Sequence, residues 1–189
     1  MAEPSINYGN IITEVQMHED EIDYVLNVCN ELPDSATIVE WGSGGSTCIW
    51  LDKLKPTQKL ITIEHVEGWF NKVTEAVKVH FGDVSDRFTF LHIPEEYIQH
   101  GYGNVIEEMP VGTREYIYPS SSIFDADVFF VDGIARGACL MTILAKHTKK
   151  EPVIFIHDYV EREPVYDWVT QFFDVEVVGT TLARLYIKK

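Results

Sequence analysis

Ala36-Thr37-Ile38-Val39-Glu40-Trp41-Gly42-Ser43-Gly44-Gly45-Ser46-Thr47 begins as a β-branched apolar run, passes an acid at Glu40, and turns through three glycines in four positions into a helix-like segment. A short apolar run bounded by glycine reads as a buried strand, and glycines placed where strand becomes helix let the backbone approach a ligand closely. The stretch therefore predicts a strand from Thr37 to Trp41 that feeds a cofactor-binding turn at Gly42 to Gly45. An ordinary βα turn is the plainer alternative.

Outward from this turn the pattern repeats. Ser46 to Leu54 reads as a helix, and Lys59 to Glu64 is a second strand that also ends in an acid. Trp69, Val73, Ala76, Val77 and His80 share one helical face, and Arg87 to Ile93 is a third strand. Upstream, Ile22, Val25, Leu26, Cys29 and Leu32 fall at helical steps, with Glu19, Asp20 and Glu21 in the first turn, where the helix dipole favours anions. Further on, Asp127 to Asp132 and Pro152 to Ile156 read as strands, while Arg136 to His147 and Pro164 to Phe173 read as helices. Val175 to Val178 and Leu182 to Ile187, separated by Gly179-Thr180-Thr181, form a hairpin. Strands alternating with helices imply right-handed crossovers and a parallel sheet covered on both faces. The fold class is α/β: a Rossmann-like, doubly wound, mostly parallel seven-stranded sheet with a C-terminal antiparallel hairpin. Residues 95–124 break this regularity with Gly101, Gly103, Pro110, Gly112 and Pro119 among Tyr97, Tyr102, Tyr116 and Tyr118. Loops of this length tend to be lids or binding loops.

A chain of 189 residues fits one domain, here 1–189, with a helical segment over 1–35 and a substrate-loop insertion over 95–124. An apolar fraction of 46% with 24% charged residues is that of a globular protein, and no segment has the apolar length of a membrane span. Residues 1–10 show no secretory signal, so a cytoplasmic setting without membrane partners is the expectation. Cys29, Cys48 and Cys139 are odd in number and apolar in context, which suits reduced core thiols. A net charge of -15 disfavours a phosphate backbone as partner, because nucleic-acid binders present basic stripes. The leading segment and the hairpin edge are candidate contacts of a homodimer.

The turn discriminates among nucleotide-type ligands. A phosphate-cradling P-loop ends in Gly-Lys-Ser/Thr, and no lysine stands here. The dinucleotide fingerprint needs a third glycine where Thr47 stands, which makes NAD a runner-up. Val39-Glu40-Trp41-Gly42-Ser43-Gly44-Gly45-Ser46-Thr47 resembles motif I of the class I S-adenosylmethionine-dependent methyltransferases. The resemblance covers Thr37 to Ile187 and implies S-adenosyl-L-methionine as cofactor. It places Glu64, in Ile61-Thr62-Ile63-Glu64-His65, on the ribose hydroxyls, with Glu40, Gly42, Ser43, Gly44, Ser46, Thr47 and His65 around the cofactor. Trp69 stands where an aromatic could pack near adenine.

A second constellation sits at later strand ends, where open parallel sheets bind their ligands. Val131-Asp132-Gly133 ends one strand and Ile156-His157-Asp158-Tyr159 the next, so Asp132, His157 and Asp158 can converge. This pairing resembles small-molecule O-methyltransferases, of catechol and macrolide-sugar type, in which acids at these places bind Mg2+ or a similar divalent cation. The resemblance implies Asp132 and Asp158 as metal ligands, although His157-Asp158 departs from the usual pairs of acids or acid and amide. His157 is either the third ligand or, with an ordinary pKa of about 6.5, the general base; the plainer alternative has Asp158 capping the next helix and His157 structural. Arg136, Arg162 and Tyr166 complete a VDG-x-x-R and HD-Y-x-x-R-x-x-x-Y pattern that resembles methyltransferase-like proteins. The two arginines could hold an anionic substrate group or pair with Asp132 and Asp158. The implied function is O-methylation of a small-molecule hydroxyl, with a sugar or polyol favoured and Tyr118 among the aromatics of the substrate wall. The alternative is a non-catalytic module, or a metal-dependent oxidoreductase, on the same fold.

Overall fold

A computed structural model describes residues 15–94 and 113–189. Residues 95–112 of the expected insertion, Tyr97 and Tyr102 among them, and 1–14 of the leading segment lie outside the described residues. Seven strands form one sheet: β1 (Thr37–Trp41), β2 (Lys59–Glu64), β3 (Phe88–His92), β4 (Val128–Val131), β5 (Val153–Ile156), β6 (Phe173–Val177) and β7 (Ala183–Ile187). Their order is β3-β2-β1-β4-β5-β7-β6, parallel throughout except that β7 runs antiparallel to both β5 and β6. The expected sheet, hairpin included, is observed.

Alternate residues of the central strands feed two separate cores, which is why those strands read as continuous apolar runs. Ile38, Val128, Phe130 and Phe155 face α1 (Glu19–Glu31), α2 (Gly45–Lys53) and α3 (Glu67–Phe81). Val39, Trp41, Phe129, Ile154 and Ile156 face the opposite layer, which includes α4 (Thr113–Ile117) and α5 (Arg136–Lys146). Cys29, Cys48 and Cys139 are buried and form no disulfide. Among the described residues, no helix is long and apolar enough to cross a membrane.

Two stretches differ from their sequence expectation. Pro164 to Phe173 is not one helix: a 3-10 turn at Val160–Arg162 leads into α6 (Glu163–Tyr166), and a second 3-10 turn at Asp167–Gln171 follows. Thr170 turns its hydroxyl onto the Asp167 carbonyl at 2.6 Å, the local side-chain bond by which Thr competes with regular helix, and β6 then starts at Phe173. The described end of the insertion is also not irregular. It holds α4 and a 3-10 turn at Ser121–Asp125, started by Ser120 Oγ accepting from the Ser122 N–H at 3.3 Å.

Candidate active site

Strand order reverses between β1 and β4, and in open α/β sheets the crevice beyond the strand ends at such a reversal is the place for ligands. Two glycines line it. Gly42 follows β1 in the left-handed region at φ +87°, and a Cβ there would stand 2.7 Å from the Gly133 nitrogen. Gly133, one residue beyond Asp132, is as constrained: a Cβ would lie 3.0 Å from the Gly42 nitrogen and 3.1 Å from Tyr116 Cζ. Tyr116, wholly buried on α4, reaches into this gap, held by Trp41 Nε1 donating to its carbonyl at 3.0 Å. Burial above all keeps its phenol protonated far beyond the ordinary range.

Glu40 points under α2, away from the crevice. Its Oε1 accepts from Ser46 Oγ at 2.7 Å and Trp50 Nε1 at 3.0 Å, and its Oε2 from Thr47 Oγ1 at 2.7 Å and Thr62 Oγ1 at 2.9 Å. Burial pushes its carboxyl up to about 7 against the pull of these donors. Four donors bind the first turn of α2 to the end of β1, so Glu40, Ser46 and Thr47 set the pitch of the glycine turn from below. Thr47 Oγ1 also accepts from the Gly44 N–H at 3.1 Å, closing the N-terminus of α2.

Glu64 does face the turn. Oε2 accepts from the Ser43 N–H at 2.8 Å and Ser43 Oγ at 2.7 Å, while Oε1 accepts the N–H groups of His65 at 2.7 Å and Val66 at 2.8 Å. Burial opposes ionisation, but His65 and these donors outweigh it and hold the carboxyl below the usual carboxylate range. Trp69 Nε1 donates to the Ser43 carbonyl, and its indole lies over Gly44, whose Cβ would sit 3.6 Å away. The His65 ring meets Tyr116 edge-on at 5.4 Å. One carboxylate, one indole and one imidazole thus surround the turn.

At the next strand ends, Asp132, His157 and Asp158 bring a ligand atom each within 4.8 Å of one another. His157 Nδ1 lies 2.9 Å from Asp132 Oδ1 and 3.3 Å from Asp158 Oδ1. Arg136 bridges the same acids: Nη2 is 3.2 Å from Asp132 Oδ1 and 2.9 Å from Asp158 Oδ2, and Nε donates to the Gly133 carbonyl at 2.8 Å. Its Nη1 donates to the His157 carbonyl. With 5% exposure and these partners, Arg136 ties the β4 and β5 ends together and is not offered to a substrate. Arg162, half-exposed at 3.4 Å from Asp158 Oδ2, remains available. Asp158 (φ 56°) and Ala135 (φ 50°) both hold left-handed backbone, strain of the kind that clusters at functional sites.

Glu21 reaches this cluster from the first turn of α1. It is 0% exposed, and its Oε1 accepts from the Thr181 N–H at 2.5 Å, the Leu182 N–H at 2.9 Å and Thr181 Oγ1 at 3.0 Å. Thr181 Oγ1 is 3.1 Å from His157 Nε2, and Glu21 Oε2 is 3.7 Å from it. Burial disfavours a charged imidazole, but Asp132 and Glu21 together raise His157 to about 10. Burial likewise disfavours the Glu21 carboxylate, yet bonds from His157, Thr181 and His18 bring it down to about 2. His157 is therefore an imidazolium between two carboxylates at neutral pH. That arrangement opposes the neutral imidazole that a proton acceptor needs.

The structure gathers Gly42, Ser43, Gly44, Glu64, His65 and Trp69 around one turn, and Asp132, His157, Asp158, Arg136 and Arg162 beside it. Tyr118 is placed elsewhere. It stacks on Phe124 at 5.3 Å and lies beneath Lys146, the last residue of α5, a helix that begins at Arg136 and extends about 15 Å. Tyr116, two residues earlier, occupies the crevice instead. Glu21, Thr181 and Gly133 were not among the expected site residues. Glu21 shows in sequence only as one of three acids in a first turn, and nothing local marks which of the three turns inward.

No family model matches the chain, and no curated sequence does. Solved structures do. A methyltransferase-like protein from Silicibacter pomeroyi superposes with a TM-score of 0.72 at 19% identity, covering 95% of this chain and 90% of its own. A candidate caffeoyl-CoA O-methyltransferase from Staphylococcus aureus gives 0.64 at 12% identity, with 92% and 86% covered. Cofactor-bound Rv0187 from MTB gives 0.66 at 11% identity, with 94% and 84% covered. The chain has the Rossmann-like fold of these structures, methyltransferases among them.

Proposed function

We propose that this chain is an S-adenosylmethionine-dependent methyltransferase that acts on a hydroxyl oxygen of a small molecule. The observation that carries the reading is the pairing of the Gly42 turn with the Glu64 carboxylate on adjacent strand ends, beside the β1–β4 crevice and across from Asp132. A turn with no Cβ at its tightest point suits close backbone approach to a ligand, and an ionised carboxylate at the next strand end suits ribose hydroxyls, which would compete with the Ser43 donors for Oε2. Glu64, with Ser43 and Trp69, would hold the nucleoside. The cofactor, when bound, supplies the methyl group on sulfur. The methyltransferase-like neighbour and the candidate O-methyltransferase support the same reading, and a third neighbour of the same fold is cofactor-bound.

Methyl transfer is an in-line displacement in which alignment and removal of one proton are the protein's contributions. Asp132 Oδ1 is engaged by His157 and Arg136, while Oδ2 has no partner among the described residues. As the O–CH3 bond forms and the S–CH3 bond breaks, Asp132 Oδ2 takes the hydroxyl proton. His157, already protonated, anchors that acid. The rim of Asp132, Asp158 and Arg162 is polar, which favours a hydroxyl-rich acceptor such as a sugar or polyol.

Mg2+ or another divalent cation fits this donor set poorly. An ion between Asp132 and Asp158 would have to displace the Arg136 guanidinium from both acids and remove the proton from His157 Nδ1. Arg136 supplies the positive charge there.

Calorimetry with S-adenosylmethionine tests the assignment: micromolar binding that weakens at least tenfold in Glu64→Ala is the expected result. Absence of binding overturns it. A methyl-transfer assay over saccharides, phenols and carboxylates, with the modified atom located by mass spectrometry, then identifies the acceptor.

A further inference from the structure

We infer that Glu21 is a positioning residue of this site, holding the His157 imidazole from α1 and, through it, the Asp132 carboxylate that takes the acceptor's proton. The inference rests on the methyltransferase reading for its chemical consequence, but the contact itself stands on geometry alone.

Glu21 belongs to the first helix, His157 to the end of β5, Thr181 to the turn of the last hairpin, and Asp132 to the end of β4. They form one line, buried from Glu21 to His157 and reaching the partly exposed Asp132: Glu21 Oε2 at 3.7 Å from His157 Nε2, Thr181 Oγ1 bridging at 3.1 Å, and His157 Nδ1 at 2.9 Å from Asp132 Oδ1. An imidazole engaged at both nitrogens has its ring plane fixed, and a carboxylate oxygen engaged by a fixed ring leaves its other oxygen with a defined direction. Space has been made for this. A Cβ on Gly179 would stand 2.8 Å from Glu21 Oε1 and 3.0 Å from Cδ, so the hairpin turn admits the acid only because residue 179 is glycine. A glutamate that merely capped its own helix would have no need of the hairpin, yet three of its four hydrogen bonds go to Thr181 and Leu182.

The test is Glu21→Gln. The amide oxygen can still accept from Thr181 and Leu182, while the amide nitrogen replaces the oxygen that faces His157 Nε2. The expected result is a kcat lower by about 10- to 100-fold, as for a small displacement of a reacting group, with cofactor Kd and acceptor KM each changed by less than about threefold. The 15N resonances of the His157 ring should move in the same variant. Unchanged kcat together with unchanged ring resonances overturns the inference and leaves Glu21 a staple of the hairpin. Should Glu21→Gln lose its cooperative fold, Thr181→Val removes only the bridging hydroxyl, and the same two readouts apply. Should the wild-type protein fail to bind S-adenosylmethionine, the function is refuted, whereas the ring resonances still decide whether Glu21 holds His157.

Discussion

Gly179→Ala probes the junction of α1 with the last hairpin by a single methyl group. Gly179 is not among the glycines with positive φ, so alanine carries no backbone penalty and its cost is steric. The new Cβ would meet Glu21 at Oε1 (2.8 Å), at Cδ (3.0 Å) and, closer still, at Cγ. Glu21 cannot swing aside cheaply, because Thr181, Leu182 and His18 all donate to it. Overpacking of this kind costs about 1–3 kcal/mol. The cause is isolated by a double-mutant cycle. Glu21→Ala alone is severe, at about 1–3 kcal/mol for each buried amide it orphans, but it also vacates the volume that the new methyl would enter. In that background Gly179→Ala should therefore cost less than about 0.5 kcal/mol, giving a coupling of at least about 0.5 kcal/mol. Urea unfolding of the four proteins followed by circular dichroism measures it. Equal costs in both backgrounds would refute the argument, because the penalty would then have nothing to do with Glu21.

Gly42→Ala should cost about 2–5 kcal/mol, the sum of a left-handed alanine and a Cβ driven 2.7 Å from the Gly133 backbone; a loss under 1 kcal/mol in urea unfolding contradicts the close packing of the β1 and β4 ends. Stability should also depend on pH through His157. Its folded pKa of about 10 exceeds the ordinary 6.5, so its contribution is complete below pH 6.5 and is lost as pH rises to 10, an upper bound of about 5 kcal/mol. Comparing wild type with His157→Asn at pH 6 and pH 9.5 reads it, and parallel losses in the two proteins would show that the ring is not held charged. Glu40→Gln should lower unfolding free energy by about 1–3 kcal/mol, since an amide cannot accept from Ser46, Thr47, Trp50 and Thr62 together; an unchanged urea midpoint would mean the pin is not structural. Methyl transfer should persist in excess chelator, because Arg136 already neutralises the acids, and loss of activity that Mg2+ restores would reinstate Asp132 and Asp158 as ligands.

The strands were legible because their signal is local. Thr37 to Trp41 and Lys59 to Glu64 are apolar runs with sharp polar or glycine borders, and both ranges coincide with the observed strands. The place of Glu64 beside the glycine turn was legible for the same reason: its partners are its own next residues and a turn one unit away. Glu40 was not. Its donors lie 6, 7, 10 and 22 residues distant and converge only once α2 packs on the sheet, so an acid next to the glycine turn looks like a ligand group when it is a pin. His157 shows the electrostatic version of this. Its sequence neighbours suggest an ordinary imidazole, whereas its state is set first by Asp132, 25 residues upstream, and then by Glu21 on the first helix. Pro164 to Phe173 has helical spacing, but a hydroxyl contact between Thr170 and Asp167 is a competitor that periodicity does not register.

Because β7 is inserted between β5 and β6, the two halves of the site are completed at different times during synthesis. The glycine turn takes its own residues and Glu64 from β1, β2, α2 and the start of α3, all within residues 37–81, and packs on Gly133 once β4 follows. The Asp132–His157–Glu21 line waits for Thr181, and until the hairpin arrives Val153-Ile154-Phe155-Ile156 is an unpaired apolar edge. At about 5–20 residues per second, that edge is exposed for seconds on each nascent chain. The nascent protein thus passes through an interval in which its aggregation hazard and its unfinished acid cluster have the same cause.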